Sequence, residues 1–217
     1  MLMIEIEHLC KIGVLSKIND SEWQAPSTMI PKKDETVRFI TDFCKLNTRI
    51  KRKNFPLPNI KDLLLGLEGF QYGTLSGLNI SYCHIELTLN ARRFRTIVFP
   101  FRKYQYKRLP MGLCYSLDIF QEHMSGLMHD LEYVSAYIDD EAILSSNSWE
   151  DYLQKVDTIL KHLKDAGLKV NGLKSFFGRS ELEYLWYLLM QDGVKPLKKK
   201  VEGMLNVTPP KNIKQLH

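Results

Sequence analysis

Tyr137-Ile138-Asp139-Asp140 is the stretch that decides the fold, since it places two adjacent carboxylates between two mainly apolar runs, 133–138 and 142–144. This pattern predicts a tight β-hairpin with both acids at its bend. Carboxylate oxygens suit hard divalent cations, and such a pair can support phosphoryl chemistry. Asp is also a common turn residue, because its side chain caps its own backbone. The pair alone therefore leaves two interpretations open, a metal site and an ordinary turn.

The composition is that of a globular protein, with 44% hydrophobic and 25% charged residues among 217. The net charge of +5 is unevenly distributed: residues 1–110 carry 18 Lys and Arg against 10 Asp and Glu, and residues 111–217 carry 12 against 15. A basic half joined to the half that holds the Asp pair fits polyanion binding beside a metal site. A chance imbalance of solvated faces would give the same numbers.

Cysteine usage and the N-terminus bear on the compartment. The four cysteines lie far apart without a C-x-x-C pair, so neither a zinc site nor a redox pair is predicted, and a reducing setting is the default. Glu5 and Glu7 argue against a signal peptide, and no apolar run approaches the roughly 18–20 residues of a membrane span. We expect an intracellular protein, in a cytoplasmic particle or the nucleus, with no membrane partner.

The order of the predicted elements indicates one topology. Helices are predicted at 2–12, 59–67, 115–129 and 149–166, and strands on both sides of a turn at 32–36, at 71–87 with an interruption near Gly77, at 94–99, 104–109 and 183–189, and in a hairpin at 133–145. If 94–109 is an insertion, the order is βαββαβ, the ferredoxin-like split βαβ with an antiparallel sheet. That topology places the first strand beside the Asp-Asp hairpin.

Seven motifs occur in a fixed order along the chain and carry a resemblance to a known family. They are Ser21-Glu22-Trp23-Gln24-Ala25-Pro26, Ile30-Pro31-Lys32-Lys33-Asp34, Val37-Arg38-Phe39-Ile40-Thr41-Asp42-Phe43, Phe55-Pro56-Leu57-Pro58, Arg108-Leu109-Pro110-Met111-Gly112-Leu113, Phe120-Gln121 and Tyr137-Ile138-Asp139-Asp140. In this order they resemble the motifs of reverse transcriptases, most closely those of gypsy-type LTR retrotransposon polyproteins. The resemblance covers essentially the whole chain.

The resemblance implies an α+β fold, the fingers and palm of a right-hand polymerase, with the split βαβ as the palm. The expected boundaries are 1–70 for the N-terminal part of the fingers, 71–87 for the first palm strand, 88–110 for a fingers hairpin, 111–190 for the palm with the Asp-Asp hairpin, and 191–217 for the start of the connection and thumb. The implied partners are an RNA or DNA template with its primer and deoxynucleoside triphosphates.

The resemblance also implies a role for particular residues. Asp139 and Asp140 would be the catalytic carboxylates that hold two Mg²⁺ or Mn²⁺ ions for in-line nucleotidyl transfer. The residues that would meet the incoming nucleotide are Lys33 and Arg38 at the triphosphate, Tyr82 against a ribose 2′-hydroxyl, Met111 and Gly112 in the template–nucleotide pocket, and Lys174 at the leaving pyrophosphate. Nucleic-acid contacts are expected from Arg49, Lys51, Arg52, Lys53 and Trp186.

The sequence departs from the family at the third catalytic position. The family has an Asp that bridges both metals in the segment that Leu75 to Ile85 fills here, and the matching residue is Gly77. If the lost stabilisation is only about 4 kcal/mol, the rate falls roughly a thousandfold. Glu141, which follows the pair, is a conceivable substitute donor. We therefore expect an inactive or weak polymerase.

Other departures indicate drift, and they leave alternatives open. Family residues are replaced at Cys44, Ser81, Arg102, Tyr115, Leu117 and Trp186. Arg102 stands where the family has a turn glycine, so strain is expected there. One alternative is a non-enzymatic nucleic-acid-binding remnant. Another is a nucleotidyl cyclase on the same topology, which the Arg38 and Leu109-Pro110-Met111-Gly112 segments disfavour because they have no role in such an enzyme.

Overall fold

The structure is a computed structural model that describes residues 2–31, 37–79 and 81–206. The helices are α1 Leu2–Lys11, α2 Cys44–Asn47, α3 Ile60–Leu65, α4 Leu89–Arg92, α5 Ser116–Leu127, α6 Trp149–Asp165 and α7 Lys198–Leu205, with 3-10 turns at Ser81–His84 and Gly172–Lys174. The strands are β1 Leu15–Ile18, β2 Ala25–Pro31, β3 Val37–Thr41, β4 Tyr72–Gly77, β5 Thr96–Phe99, β6 Arg102–Tyr106, β7 Val134–Tyr137, β8 Asp140–Ser145, β9 Phe176–Arg179, β10 Glu181–Tyr184, β11 Tyr187–Met190 and β12 Gly193–Pro196. Among the described residues, no helix has the length and apolar character needed to cross a membrane.

The chain divides into two compact units. The first comprises residues 1–57, 78–129 and 162–169, and the second comprises 58–77, 130–161 and 170–217. The fingers and palm boundaries stay predictions.

The first unit contains a five-stranded sheet of order β1-β6-β5-β2-β3. Its neighbours are antiparallel except for β2 and β5, which run parallel with Ala25 opposite Ile97. The strand pair expected at 94–109 is present as β5 and β6. Ile97, Leu109, Phe120 and Met124 are fully buried in the core of this unit.

The second unit contains the four-stranded antiparallel sheet β7-β8-β4-β9. Along the chain, these strands and the intervening helices run β4-α5-β7-β8-α6-β9, which is the predicted split βαβ succession, although α5 belongs to the first unit. The first strand is shorter than expected, because it ends at Gly77 and a 3-10 turn begins at Ser81. β9 is an edge strand whose Phe176 and Phe177 are each about half exposed.

The predicted closing strand at 183–189 is wrong. The sheet is closed by β9, and residues 183–189 instead bend between β10 and β11 of a separate three-stranded sheet, β10-β11-β12. The sequence conceals this bend because its two turn residues, Leu185 and Trp186, are large and apolar. Leu182, Tyr184 and Leu189 from this sheet pack with Ala142 and Leu144 of β8 in one buried cluster.

Helix α6 has the start that its sequence indicates. The Ser148 hydroxyl accepts a hydrogen bond from the Asp151 backbone N–H at 3.3 Å, as an N-cap does. One turn further on, the Tyr152 hydroxyl lies 2.6 Å from the Thr74 hydroxyl of β4 and accepts a 2.7 Å bond from the Gly178 N–H of β9. These bonds join the helix to the first and last strands of the sheet.

The strain predicted at Arg102 is also wrong. Arg102 begins β6 directly opposite Phe99, and a two-residue turn at Pro100 and Phe101 connects the strands. Among the described non-glycine residues, positive φ angles occur at Ile138, Leu185 and Trp186 instead. This hairpin therefore turns without placing an arginine in the left-handed region.

Trp186 also stands at a position predicted to hold a glycine, and its backbone is strained. Leu185 and Trp186 have φ angles of 49° and 72°, the left-handed pair of a type I′ hairpin turn that favours glycine. Trp186 is 70% exposed, so its side chain gains little from burial. We expect Trp186→Gly to raise the free energy of unfolding by about 1 kcal/mol, as measured by urea denaturation. Trp186→Ala is the matched control, and it should gain much less because it retains a Cβ. Equal changes in the free energy of unfolding for the two variants would contradict the assignment of strain to the left-handed backbone at Trp186.

Candidate active site

The Asp-Asp hairpin forms as the sequence predicts. Tyr137 of β7 pairs with Asp140 of β8, which leaves Ile138 and Asp139 as a two-residue turn. Ile138 has a φ angle of 56°, an uncommon conformation for a β-branched residue. Strained backbone of this kind persists where the surrounding structure imposes it, and it concentrates at functional sites. The turn therefore presents Asp139 on a backbone that the flanking strands hold in place.

Gly77 lies directly opposite Asp140 in the register of β4 and β8. Opposed residues of antiparallel strands project to the same face of a sheet, so a side chain at position 77 would stand beside the Asp140 carboxylate. The topology thus brings the position predicted to hold the third catalytic carboxylate beside the Asp pair. The residue there has no side chain and supplies no ligand.

The space above Gly77 is occupied by the 3-10 turn Gly172–Lys174. The Asn171 N–H donates to the Gly77 carbonyl at 2.8 Å, and the Gly77 N–H donates to the Ser175 hydroxyl at 3.3 Å. A Cβ atom added to Gly77 would lie 3.2 Å from the Lys174 Cβ, which is a tight contact. The predicted pyrophosphate lysine, Lys174, thus packs where the missing carboxylate would begin.

The two carboxylates form an electrostatically unfavourable pair. Burial raises the pKa of Asp140 above its ordinary value, the neighbouring Asp139 charge raises it further, and the Lys174 ammonium opposes both. Two like charges in a half-buried setting favour a cation between them. The Lys174 ammonium already supplies part of the positive charge that this carboxylate pair favours.

The carboxylates fit one divalent cation better than two. Asp139 and Asp140 offer oxygens of the kind that Mg²⁺ and Mn²⁺ prefer. Within the described ranges, no group of three or more His, Cys, Asp and Glu residues is placed to hold a metal ion. The described site therefore offers no third carboxylate, and Gly77 stays the predicted position of the missing ligand.

Glu141 does not replace the missing ligand. It lies opposite Ser76, one residue along from the Gly77–Asp140 pair, and successive side chains of a strand point to opposite faces. Its carboxylate is fully buried, and neither oxygen nor the Ser76 hydroxyl has a hydrogen-bond partner of acceptable geometry among the described residues. Burial, reinforced by the charges of Asp140 and Asp139 and opposed by the Ser76 hydroxyl, raises the pKa of Glu141 to about 8. One sequence signal of this burial is that Glu141 lies two residues before Ile143, on the same face of β8.

Apart from Lys174, the described residues that are predicted to meet the nucleotide lie in different settings within the first unit. Lys33 lies outside the described residues, and Arg38 is described only as a backbone position of β3 opposite Ile30. Tyr82 is 6% exposed, and its ring packs 5.1 Å from that of Phe120, centroid to centroid. Tyr82 thus contributes to the core of the unit, and its contact with a ribose stays a prediction.

The Met111–Gly112 segment is an exposed loop packed against the end of β3. Gly112 has a φ angle of 95°, which only glycine adopts readily, and a Cβ there would lie 3.4 Å from the Thr41 carbonyl oxygen. Met111 is 57% exposed. This glycine is therefore required by the backbone, and the methionine is available to a ligand.

Comparison with known proteins identifies the chain. The family described as reverse transcriptase (RNA-dependent DNA polymerase) matches residues 30–189. The chain belongs to the reverse transcriptase family.

Relatives of this reverse transcriptase domain are retrotransposon polyproteins. It is 28% identical over 214 residues to the retrovirus-related Pol polyprotein from transposon gypsy of Drosophila melanogaster, covering 95% of this chain and 20% of the relative. It is 30% identical over 222 residues to the Pol polyprotein from transposon opus of the same organism, covering 98% of this chain and 22% of the relative. The chain thus spans about a fifth of the length of these relatives. The predicted LTR retrotransposon origin is confirmed.

Solved structures confirm the fold of the reverse transcriptase domain. The foamy viral protease-reverse transcriptase in complex with double-stranded DNA matches with a TM-score of 0.90 at 23% identity, over 99% of this chain and 38% of that one. The native prototype foamy virus protease-reverse transcriptase matches with a TM-score of 0.81 at 27% identity, over 99% of this chain and 29% of that one. The predicted α+β fingers and palm fold is therefore correct.

The basic cluster of the reverse transcriptase domain has two kinds of member. Arg49, Lys51 and Lys53 are exposed, as a contact with a phosphate backbone requires. Arg52 makes a bidentate ion pair with Asp118, at 2.7 Å from Nε and 3.0 Å from Nη2, and Asp118 is only 2% exposed. Arg52 thus holds α5 to the cluster. The nucleic-acid contacts of all four residues stay predictions.

Asn47 is a residue of the reverse transcriptase domain that sequence reasoning missed. Its side-chain amide donates to the Gly112 carbonyl at 2.9 Å and accepts from the Cys114 N–H at 3.0 Å. The two bonds fix the loop that carries Met111. These two hydrogen bonds connect residues more than sixty positions apart, so no local sequence pattern predicts them.

Proposed function

We propose that this chain is an RNA-directed DNA polymerase domain whose nucleotidyl transfer is severely weakened. Membership of the reverse transcriptase family supports the type of reaction. The pairing of Gly77 with Asp140 supports the loss of activity, because the strand position that faces the Asp pair has no carboxylate. The alternative donor, Glu141, projects from the opposite face of the sheet.

The proposed roles of the chain's own residues follow from their chemistry. Asp139 and Asp140 would hold a divalent cation, Mg²⁺ or Mn²⁺, which when bound supplies positive charge to the reacting phosphate and the primer 3′-oxygen. Arg38 and Lys33 offer donors for a triphosphate, since a guanidinium pairs bidentately with phosphate oxygens. Lys174 offers a proton to the leaving pyrophosphate. With one carboxylate missing, these residues orient the reactants better than they stabilise the transition state.

The proposed substrates are a primed RNA or DNA template and deoxynucleoside triphosphates. Foamy viral protease-reverse transcriptase, which shares the fold, is known in complex with double-stranded DNA and with an RNA/DNA hybrid. The exposed Arg49, Lys51 and Lys53 of this chain suit sequence-independent phosphate contacts. Both observations support nucleic-acid binding.

A primer-extension assay tests the proposal. The natural chain is compared with Asp139→Ala on a primed RNA template, with Mg²⁺ and then with Mn²⁺. We expect extension by the natural chain about a thousandfold below what a complete site of this type would give, and close to the background of the variant. Robust extension that Asp139→Ala abolishes would refute the loss of activity.

A second candidate is a non-enzymatic nucleic-acid-binding remnant, favoured by the exposed cations beside Arg52. Fluorescence anisotropy with a labelled primer–template separates the two candidates in the same samples. Binding that weakens with salt, combined with extension equal to that of Asp139→Ala, supports the remnant. Measurable extension above that background supports a weak polymerase.

A further inference from the structure

A cavity of about 420 Å³ lies in the first unit, and none of the hairpin residues lines it. It is lined by residues from α1 and the chain that follows it, from the 3-10 turn Ser81–His84 and the residue Asn79 before it, and from the chain that follows β6 and α6. Four of them, His8, His84, Arg108 and Lys169, carry basic groups. None of the described residues that line the cavity carries a carboxylate. A volume of this size is in the range of small-molecule sites.

Hydrogen bonds position the Arg108 and His84 side chains and the backbone beside Lys169. Arg108 Nη1 donates to the His84 carbonyl at 3.0 Å, and His84 Nε2 lies 3.3 Å from the Asn79 carbonyl oxygen. The Asn79 N–H donates to the Lys169 carbonyl at 2.8 Å. One continuous series of bonds thus links Arg108, His84, Asn79 and Lys169. This part of the cavity wall is therefore built from connected groups, and the exposed Lys169 ammonium lies beside it.

The permanently charged groups that line the cavity, Arg108 and Lys169, are both cations. Burial lowers the pKa of the His84 imidazole, the charges of Arg108, Lys169 and His123 lower it further, and the bond to the Asn79 carbonyl opposes them. Cys83 also lines the cavity, and burial raises its pKa to about 11, so the thiol adds no negative charge near pH 7. A bound anion would relieve the repulsion among these groups.

We propose that this cavity binds the phosphate group of a small phosphorylated molecule. The Arg108 guanidinium can form paired bonds to phosphate oxygens, and the Lys169 ammonium supplies a second charge. Apolar side chains, Ile12 and Val14, complete the lining, so the cavity has room for more than inorganic phosphate alone. The site shares no residue with the Asp139–Asp140 hairpin, and its occupation requires neither a metal nor a primer.

The experiment follows the histidine ring signals of the full chain by NMR at pH 7 while a phosphate compound is added. The probes are inorganic phosphate, deoxyadenosine monophosphate, and sodium chloride at matched ionic strength. A His84→Gln variant assigns the His84 signal, and the exposed His129 is the internal reference. We expect saturable displacement of the His84 and His8 signals by phosphate, with His129 and the chloride sample unchanged.

Two charge-reversing variants, one inside the cavity and one outside it, form a matched pair. Lys169→Glu should weaken phosphate binding at least about tenfold, because it replaces an attraction with a repulsion. Lys164→Glu makes the same change on the exposed face of α6, outside the cavity, and should leave binding intact. Thermal melting of both variants confirms that they are folded.

The outcomes distinguish the source of the phosphate. Tighter binding of the mononucleotide than of inorganic phosphate supports a nucleotide ligand, and equal binding supports free phosphate. Unsaturable shifts, or equal effects of the two charge reversals, overturn the proposal. Displacement of the same signals only by a single-stranded oligonucleotide without a terminal phosphate also overturns it, since the cavity would then be part of a nucleic-acid surface.

Discussion

Replacing Gly77 with Asp should increase primer extension by up to about a thousandfold and should tighten Mn²⁺ binding at least about tenfold. The register places the new carboxylate beside Asp140 on the same face of the sheet. The φ angle of Gly77 lies outside the left-handed region, so its backbone accepts a side chain. The cost is a displacement of Lys174, whose Cβ would lie 3.2 Å from the new Cβ, by a few tenths of an ångström.

Gly77→Asn is the matched control, because it makes the same steric demand on Lys174 without a charge. Mn²⁺ binding is followed by electron paramagnetic resonance, and extension is measured on a primed RNA template. Tighter Mn²⁺ binding without extension would assign the remaining loss to other substitutions, such as Trp186. Equal Mn²⁺ binding by the Asp and Asn variants would refute the assignment of position 77 to the metal site.

Glu141→Gln should remove a large pH dependence of stability. Glu141 has an ordinary pKa of 4.5 and a pKa of about 8 in the folded state. The folded protein therefore retains a proton that the unfolded chain releases, and its stability falls as the pH rises from 4.5 towards 8. At about 1.4 kcal/mol per pH unit, the loss over this window is about 4–5 kcal/mol.

Urea denaturation of the natural chain and the Gln variant at pH 5, 6, 7 and 8 measures this effect. The stability difference in favour of Glu141→Gln should grow steadily with pH, because the amide has no proton to lose. Glu132→Gln, at an exposed position of the same unit, should track the natural chain at every pH. A constant difference between Glu141→Gln and the natural chain would show that Glu141 is ionised in the folded protein throughout this range.

The features that could be predicted from the sequence are those with local or topological causes. The hairpin at Asp139 is announced by a polar turn between apolar strands, and the start of α6 by the capping residue Ser148. The position of Gly77 opposite Asp140 followed from the order of the elements, because the split βαβ places its first strand beside the central hairpin.

The features that could not be predicted have causes distant in sequence or hidden by residue type. The bend at Leu185 and Trp186 lacks the Gly or Asn that marks such turns, so the pattern predicts one strand where the structure has two. The Arg52–Asp118 pair joins residues 66 positions apart. The burial of Glu141 depends on which face of β8 the rest of the unit covers, and a charged residue in a strand is ordinarily assumed to face water.

The open edge of β9 has a consequence for the protein in solution. Phe176 and Phe177, each about half exposed, lie on a strand whose outer side has no neighbouring strand among the described residues. Such an edge offers another chain backbone hydrogen bonds and an apolar surface at the same place. Self-association should therefore increase with protein concentration. A lysine in place of Phe177 should raise the concentration at which the protein remains monodisperse in light scattering.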